Sequence, residues 1–139
     1  MKIEYFDCLA EDVKRIRQQV FMDEQGFQNE FDEVDNMATH IVMYDKENEA
    51  IATCRVFRGE NVDSYILGRL AVVKEYRGKN LGSTMIKEAE KIVMSKGGKC
   101  LSLHAQCRVQ DFYEKAGFVR FGQVDEDEGC PHVWMRKKL

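Results

Sequence analysis

The most useful absences in this sequence concern membranes, nucleic acids and secretion. No apolar run approaches the roughly 18 residues that a membrane-spanning helix requires, so we expect no transmembrane segment. The net charge is −3, and this lack of excess positive charge argues against a nucleic acid as a partner. Residues 1–12 lack the hydrophobic core of a signal peptide, so we expect a cytoplasmic protein.

The five cysteines do not predict a disulfide framework or a metal site. They are an odd number and include no CxxC pair, which makes a disulfide framework unexpected. A metal site would have to combine His104, Cys107, Cys130 and His132. Neither the His-x2-Cys nor the Cys-x-His spacing matches a common zinc arrangement, so we expect no bound metal.

The chain has the size and pattern of one mixed α/β domain covering residues 1–139. Its 139 residues, 44% of them hydrophobic, are enough for a single core, and there are no repeats or linkers. Helical periods cover residues 11–22, 81–96 and 108–115. Strand patterns cover residues 3–6, 39–44, 50–58, 65–73, 99–105, 118–124 and 132–137. Gly68 within the fourth strand pattern indicates a bulge or a close backbone approach.

A glycine-containing turn at residues 77–83 separates a strand pattern from a helical one. The first turn of a helix has unpaired N–H groups and the positive end of the helix dipole, which together favour anions. Gly78 and Gly82 allow a close backbone approach, and Arg77 and Lys79 add positive charge. The sequence therefore predicts a phosphate-binding loop. Most backbone donors are expected from Asn80, Leu81, Gly82 and Ser83.

A second motif, Phe112-Tyr113-Glu114-Lys115-Ala116-Gly117-Phe118, begins 30 residues after Gly82. The two motifs at this distance resemble those of the GNAT superfamily of acyl-CoA-dependent N-acyltransferases. Val20-Phe21-x-x-Glu24-Gln25, Ala105-Gln106 and Gly129-Cys130-Pro131-His132 resemble the ElaA-like branch of that superfamily. One residue departs from the family pattern, because Asn80 stands where glycine is usual. Asparagine tolerates the left-handed conformation better than other non-glycine residues, so we expect the loop to keep its shape.

The resemblance implies a fold and a cofactor site. The implied fold is a mixed, mostly antiparallel sheet of six to seven strands with a splayed central strand pair, flanked by about four helices. The implied cosubstrate is acetyl-CoA, with its pyrophosphate at the loop of residues 77–83. Backbone N–H groups of the splayed strand would bind pantetheine and the thioester carbonyl, and Gln106 and Phe112 would complete the site. The strand residues concerned are Leu70, Ala71, Val72 and Val73.

The resemblance also suggests which residues carry the chemistry. It places Tyr113 near the thioester sulfur, where a phenol with a pKa of about 10 can serve a leaving thiol with a pKa of about 8.5. Tyr113 could instead be a packing aromatic beside its phenylalanine neighbours. An attacking amine needs a base, for which Glu24 is the first candidate, followed by His104 and His132. These three are expected on the acceptor side, although each could also be an ordinary surface residue.

The expected activity is transfer of the acetyl group of acetyl-CoA to a primary amine of a small molecule or peptide, by direct attack in a ternary complex. The alternative is a non-catalytic acyl-CoA-binding or sensor domain, because a fold does not guarantee activity. The acidic segments 30–35 and 125–128 suggest a cationic acceptor, although surface solubility explains them equally well. Edge strands of the sheet allow a homodimer.

Overall fold

One seven-stranded sheet organises the computed structural model, which describes residues 1–139. The strands are β1 (Lys2–Phe6), β2 (Thr39–Tyr44), β3 (Ala50–Arg58), β4 (Ser64–Val72), β5 (Cys100–Gln106), β6 (Val119–Asp127) and β7 (Cys130–Lys138). Their order across the sheet is β1-β2-β3-β4-β5-β7-β6. Every neighbouring pair is antiparallel except β4 and β5, which are parallel. The predicted mixed, mostly antiparallel sheet is confirmed.

Three helices accompany the sheet, instead of about four. The first, α1 (Glu11–Arg17), continues as a π-helix over Gln18–Glu24. The others are α2 (Leu81–Ser95) and α3 (Gln110–Lys115). The remaining turns are short 3-10 segments at Glu33–Asn36, Lys74–Tyr76 and Cys107–Val109. None of the helices is long and apolar enough to cross a bilayer.

The hydrophobic core lies where α1 and α2 pack on the sheet. The apolar period predicted for the helix at residues 81–96 forms the buried stripe of α2, which packs on β3 and β4. Burying such a stripe is the main stabilising contribution of an amphipathic helix, at about 25 cal/mol per Å² of apolar area. The stripe consists of Leu81, Met85, Ile86, Ala89 and Val93. The core therefore fixes the N-terminus of α2 beside the end of β4.

The central strands β4 and β5 separate halfway along their length. Their parallel pairing runs from Ser64 opposite Cys100 to Leu67 opposite Leu103 and then stops. On its other side β4 stays paired with β3, but the register shifts where Gly68 faces Arg55 and Ala71 faces Thr53. Two residues of β4 therefore face one residue of β3, which is a β-bulge. The splayed strand pair is confirmed, and the bulge follows Gly68 rather than including it.

Candidate active site

A cavity of about 1000 Å³ occupies the gap between β4 and β5. Its wall combines the end of β4, the start of α2, the residues of α3 and the ends of β5 and β7. The two motifs that lie 30 residues apart in the sequence therefore meet in one cavity. The predicted site residues on its wall are Leu70, Ala71, Val72, Arg77, Gly78, Asn80, Leu81, Gly82, Ser83, His104, Gln106, Phe112, Tyr113 and His132.

The loop before α2 offers free backbone donors to an anion. Gly78 has a φ of 80° and Asn80, the residue before the helix, has a φ of 62°. The left-handed conformation expected of Asn80 is thus present. The N–H groups of Leu81, Gly82 and Ser83 donate to no backbone carbonyl, and no side chain caps the helix. A helix of 15 residues with uncapped N–H groups fits the oxygens of a pyrophosphate.

Gly82 also has a steric reason to be glycine. A Cβ atom at this position would lie 2.9 Å from Cζ of Phe112 in α3. Atoms at this distance would force the aromatic ring to move, so the absence of a side chain lets the two motifs pack directly against each other. The contact brings the start of α2 and the start of α3 together at one end of the cavity.

Two predicted cofactor residues lie outside the cavity wall. The N–H of Val73 donates to Ile51 O of β3 at 2.9 Å, and its side chain is buried. The backbone donor expected there is therefore used by the sheet. The side chain of Lys79 lies over an aromatic ring, with Nζ 5.0 Å from the centre of the Tyr76 ring. A cation above an aromatic face is attracted by the ring quadrupole, which accounts for this position.

The pairing of Val73 determines the direction of the preceding backbone groups. Successive N–H groups of a strand point to opposite sides, so the N–H and C=O of Val72 point into the gap towards β5. The carbonyl of Val72 accepts a hydrogen bond from Nε of Arg77 at 2.9 Å. Leu70, two residues earlier, lies within the bulge and also lines the cavity. The gap thus contains backbone donors with no strand partner.

Tyr113 is both a packing residue and a free hydroxyl. Its ring packs edge-on against Phe112 and Phe118, with centroid distances of 5.0 and 6.0 Å. Its hydroxyl forms no hydrogen bond within the chain, although Tyr113 lines the cavity. Burial raises the pKa of Tyr113 above its ordinary value of 10.0. The side chain is therefore a protonated donor at neutral pH.

Two neighbouring histidines, with rings tilted by 32° to each other, also line the cavity. The rings of His104 and His132 lie 4.7 Å apart, and His104 is stacked on Trp134 at 4.9 Å. Nε2 of His104 is 2.6 Å from a carboxylate oxygen of Asp125. Nδ1 of His132 is 2.8 Å from the carbonyl oxygen of Cys130. A carbonyl only accepts, so Nδ1 of His132 carries a proton, while Nε2 forms no hydrogen bond within the chain.

Glu24 lies beside the main cavity instead of on its wall. It borders an adjoining depression of about 470 Å³ at the end of the π-helix. Its carboxylate accepts two hydrogen bonds from Arg77, at 2.9 and 3.0 Å. Such a bidentate pair is a strong, oriented interaction. The candidate base of the acceptor side is therefore held by the candidate cation of the phosphate loop.

The remaining predicted residue, Gln106, connects two of the ElaA-like motifs. Its Nε2 donates to Oε1 of Gln25 at 2.8 Å, and its Oε1 accepts from Nε of Arg108 at the same distance. Both glutamines line the cavity. Gln106 is the last residue of β5, so its side chain lies where this strand has separated from β4.

The acidic segment 30–35 has a role that the sequence interpretation missed. Glu30 and Asp35 are 4% and 1% exposed, so these two carboxylates are not solvated, whereas Asp32 and Glu33 between them are exposed. Its carboxylates pair with three arginines from α1, β3 and β4. The sequence does contain a signal for this network, namely arginines within the apolar patterns of α1, β3 and β4. A buried guanidinium requires carboxylate partners, so these arginines predict buried acidic residues. The members of this ion-pair network are Arg17, Arg55, Arg69, Glu30, Asp32 and Asp35.

Comparison of sequences identifies the family. Residues 7–139 match the acetyltransferase (GNAT) domain family. A Bacillus subtilis protein described as an acetyltransferase is 34% identical over 128 residues, which cover 88% of this chain and 85% of that protein. Protein ElaA of Escherichia coli is 28% identical over 96 residues, which cover 68% of this chain and 63% of ElaA. The resemblance to this superfamily, ElaA included, is confirmed.

Comparison of structures agrees. A crystal structure described as an N-acetyltransferase from Lactobacillus plantarum has a TM-score of 0.90 at 28% identity, with 99% of this chain and 97% of that chain covered. An aminoglycoside 6′-N-acetyltransferase complexed with coenzyme A shares the fold, with a TM-score of 0.77 at 19% identity and coverages of 99% and 97%. The chain belongs to the acetyltransferase (GNAT) domain family and is an acyltransferase.

Proposed function

We propose that this protein is an N-acetyltransferase that moves the acetyl group of acetyl-CoA to a primary amine by direct attack in a ternary complex. One observation carries the proposal. A single cavity contains uncapped N–H groups at the start of α2, unpaired backbone of β4, the free hydroxyl of Tyr113 and the free Nε2 of His132. These are the groups that acyl transfer from a thioester to an amine requires.

The nucleotide end would be held by the loop of residues 77–83. The free N–H groups of Leu81, Gly82 and Ser83 face the same cavity as Phe112. Their partial positive charges add to the helix dipole, which favours a pyrophosphate at this position. The complex of aminoglycoside 6′-N-acetyltransferase with coenzyme A supports the choice of cosubstrate, because the two proteins share the fold. When bound, acetyl-CoA supplies an activated acetyl thioester.

The acyl group would be polarised by the backbone of β4. The N–H of Val72 points into the gap, and Leu70 lies beside it in the bulge. Fixed donors aimed at a developing negative charge are effective in a site that excludes water. Tyr113 would donate its proton, or a hydrogen bond, to the departing sulfur. Burial keeps its phenol protonated at neutral pH by raising its pKa.

The amine must lose a proton before or during attack, since a lysine-like amine has a pKa of about 10.4. We assign this proton to Nε2 of His132, because its lone pair has no partner in the chain. Asp125 already engages Nε2 of His104, which makes His104 a neighbour of the base. Glu24, the base expected from the family resemblance, is engaged by Arg77 and is to be tested beside His132.

A screen of primary amines with acetyl-CoA tests the proposal. The assay follows release of free coenzyme A thiol and identifies the acetylated amine by mass spectrometry. We expect at least one amine class to be acetylated by the wild type and much more slowly by Tyr113→Phe. Acetyl-CoA binding without acetylation of any amine would instead favour the alternative, a non-catalytic acyl-CoA-binding domain.

A further inference from the structure

We propose that Arg69 is a positioning residue whose guanidinium holds the β4 bulge in the conformation that aims the backbone of Leu70 and Val72 into the gap. The inference depends on the proposed role of β4 in binding the acyl group. Arg69 lies outside both sequence motifs. Its side chain would act on the acyl group indirectly, through the main chain of β4.

The backbone at Arg69 is in a conformation that arginine rarely adopts. Its φ is 53°, in the left-handed region where a Cβ atom is unfavourable. Glycine or asparagine usually occupies such positions, as Asn48 and Asn80 do elsewhere in this chain. A strained non-glycine residue persists when its surroundings hold it in place. The contacts of the Arg69 side chain are therefore the place to look for what holds it.

The guanidinium of Arg69 is bound to one residue in particular. Nε and Nη2 donate to the main-chain oxygen of Glu30 at 3.1 and 3.0 Å. Nε also lies 3.0 Å from the Glu30 carboxylate, and Nη2 lies 3.4 Å from that of Asp32. These contacts join the bulge to the segment after the π-helix. Multiple hydrogen bonds between charged groups give a fixed orientation as well as attraction.

Glu30 is itself fixed from the other side. Its carboxylate accepts a hydrogen bond from Nε of Arg17 at 2.8 Å, and its main-chain oxygen accepts one from Nη2 of Arg17 at 2.9 Å. Arg17 is fully buried at the end of α1 and also binds Asp35. The partner of Arg69 thus belongs to the core. The six-membered ion-pair network has equal numbers of formal positive and negative charges, so each buried charge has a partner.

The bulge decides which N–H groups face the cavity. Arg69 and Leu70 together face one residue of β3, and beyond them Val73 donates to β3 while Val72 points into the gap. Without the extra residue, the pairing would slip by one position. A slip by one residue reverses the side to which every group points. The N–H groups of Ala71 and Val73 would then face the gap, and that of Val72 would be used by the sheet.

The test compares Arg69→Ala with Arg69→Gly and needs no acceptor amine. Both changes remove the guanidinium, but only glycine adopts the left-handed conformation without strain. The readout is the carbonyl stretch of acetyl-CoA labelled with ¹³C at the thioester carbon, measured by isotope-edited difference infrared spectroscopy. We expect the wild type and Arg69→Gly to shift this band to lower frequency on binding, and Arg69→Ala to lose most of the shift. Acetyl-CoA affinity should fall about two- to tenfold in Arg69→Ala, as expected for one lost hydrogen bond.

Asn48→Ala is the matched control, because it places the same strain in the β2–β3 turn, away from the cavity. It should leave the carbonyl band unchanged. Circular dichroism and thermal unfolding establish that each variant is folded. Should Arg69→Ala not fold, Asp32→Asn weakens the same contacts at a partly exposed position. Asp32→Asn alone should show a smaller band shift than the wild type. The double variant Asp32→Asn with Arg69→Gly should show the same band shift as Arg69→Gly alone.

Three outcomes would overturn the inference. The first is a wild-type band shift in Arg69→Ala, or in Asp32→Asn if that variant replaces it. The second is equal loss of the shift in Arg69→Ala and Arg69→Gly, which would mean that the charge and not the backbone conformation matters. The third is a wild type that binds acetyl-CoA without any band shift. That result would contradict the proposed role of β4 itself. It is seen in the wild-type protein, so it is distinguished from an effect of the Arg69 substitutions.

Discussion

The guanidinium of Arg77 binds the carboxylate of Glu24 through two hydrogen bonds of 2.9 and 3.0 Å. The pair joins the loop before α2 to the end of the π-helix, and Arg77 also donates to Val72 O. The proposed nucleotide side and the proposed acceptor side of the cavity are thereby connected by the side chain of Arg77. Because the Glu24 carboxylate is engaged and Nε2 of His132 has no partner in the chain, we propose Nε2 of His132 as the proton acceptor.

The first prediction compares His132→Gln with His104→Gln. Loss of a general base typically lowers the rate about 10²- to 10⁴-fold, and we expect His132→Gln to fall in this range. His104→Gln should change the rate much less, because Nε2 of His104 already binds Asp125. The measurement is kcat/KM for the acceptor amine at saturating acetyl-CoA.

Glu24→Gln completes this comparison. The substitution removes the charge that orients Arg77, so we expect the Kd of acetyl-CoA to change along with the acceptor KM, while kcat falls less than in His132→Gln. Wild-type kinetics for His132→Gln together with a large loss in kcat for Glu24→Gln would identify Glu24 as the general base. Wild-type kinetics for both variants would mean that neither residue is the base.

The second prediction concerns the hydroxyl of Tyr113. Tyr113→Phe keeps the ring contacts with Phe112 and Phe118 and removes a hydroxyl that has no partner in the chain. Stability and acetyl-CoA affinity should therefore be unchanged. We expect kcat to fall about 10²-fold, the low end for a general acid, because a thiolate can also leave unprotonated. Tyr65→Phe is the control, since Tyr65 is buried away from the cavity. Wild-type turnover under conditions where chemistry limits kcat would make Tyr113 a packing residue only.

The third prediction concerns the close approach of Gly82 and Phe112. Gly82→Val places a side chain where even a Cβ would lie 2.9 Å from the ring. A ligand at 100 times its Kd stabilises the native state by about 2.7 kcal/mol, so acetyl-CoA should raise the Tm of the wild type. This rise should be abolished in Gly82→Val and retained in Met94→Val, at the exposed end of the same helix. An unchanged rise in Gly82→Val would place the phosphate site elsewhere.

The fourth prediction concerns acid stability. Burial alone would raise the pKa of Asp35, but hydrogen bonds from Arg17, the Asp32 N–H and Arg55 outweigh it and lower the pKa from 3.8 to about 2. A carboxyl with a lowered folded-state pKa stabilises the protein above its unfolded-state pKa and loses that contribution as pH falls through the folded-state value. This contribution should therefore be complete above about pH 4 and lost towards pH 2.

Asp35→Asn tests this assignment. Removing one member of a buried ion pair costs about 3–5 kcal/mol, so the free energy of unfolding at pH 7 should fall by about this amount. The difference between wild type and variant should narrow between pH 4 and pH 2. Urea unfolding at several pH values measures it, with the exposed Glu47→Gln as a control. A difference that does not depend on pH would show that the charge of Asp35 is not what stabilises the fold.

The sequence alone was sufficient for the seven strands, for the start of α2 and for the family. The pattern predicted β2 and β3 at their observed bounds, and it placed the start of α2 at Leu81. Alternation, helical period and glycine spacing are properties of neighbouring residues, so they can be seen without the fold. The left-handed conformation of Asn80 was predictable because the family pattern usually has glycine there and asparagine tolerates the same conformation.

The tertiary structure decided the contacts that prepare the site for chemistry. Arg69 binds Glu30 across 39 residues of sequence, and Gln106 binds Gln25 across 81. The tautomer of His132 depends on which way the Cys130 carbonyl points, and the engagement of Glu24 depends on where Arg77 lies. No local pattern contains this information, because a side chain's partners are fixed only when distant segments pack together. The sequence determined which groups are available, and the packing determined which of them remain free to act.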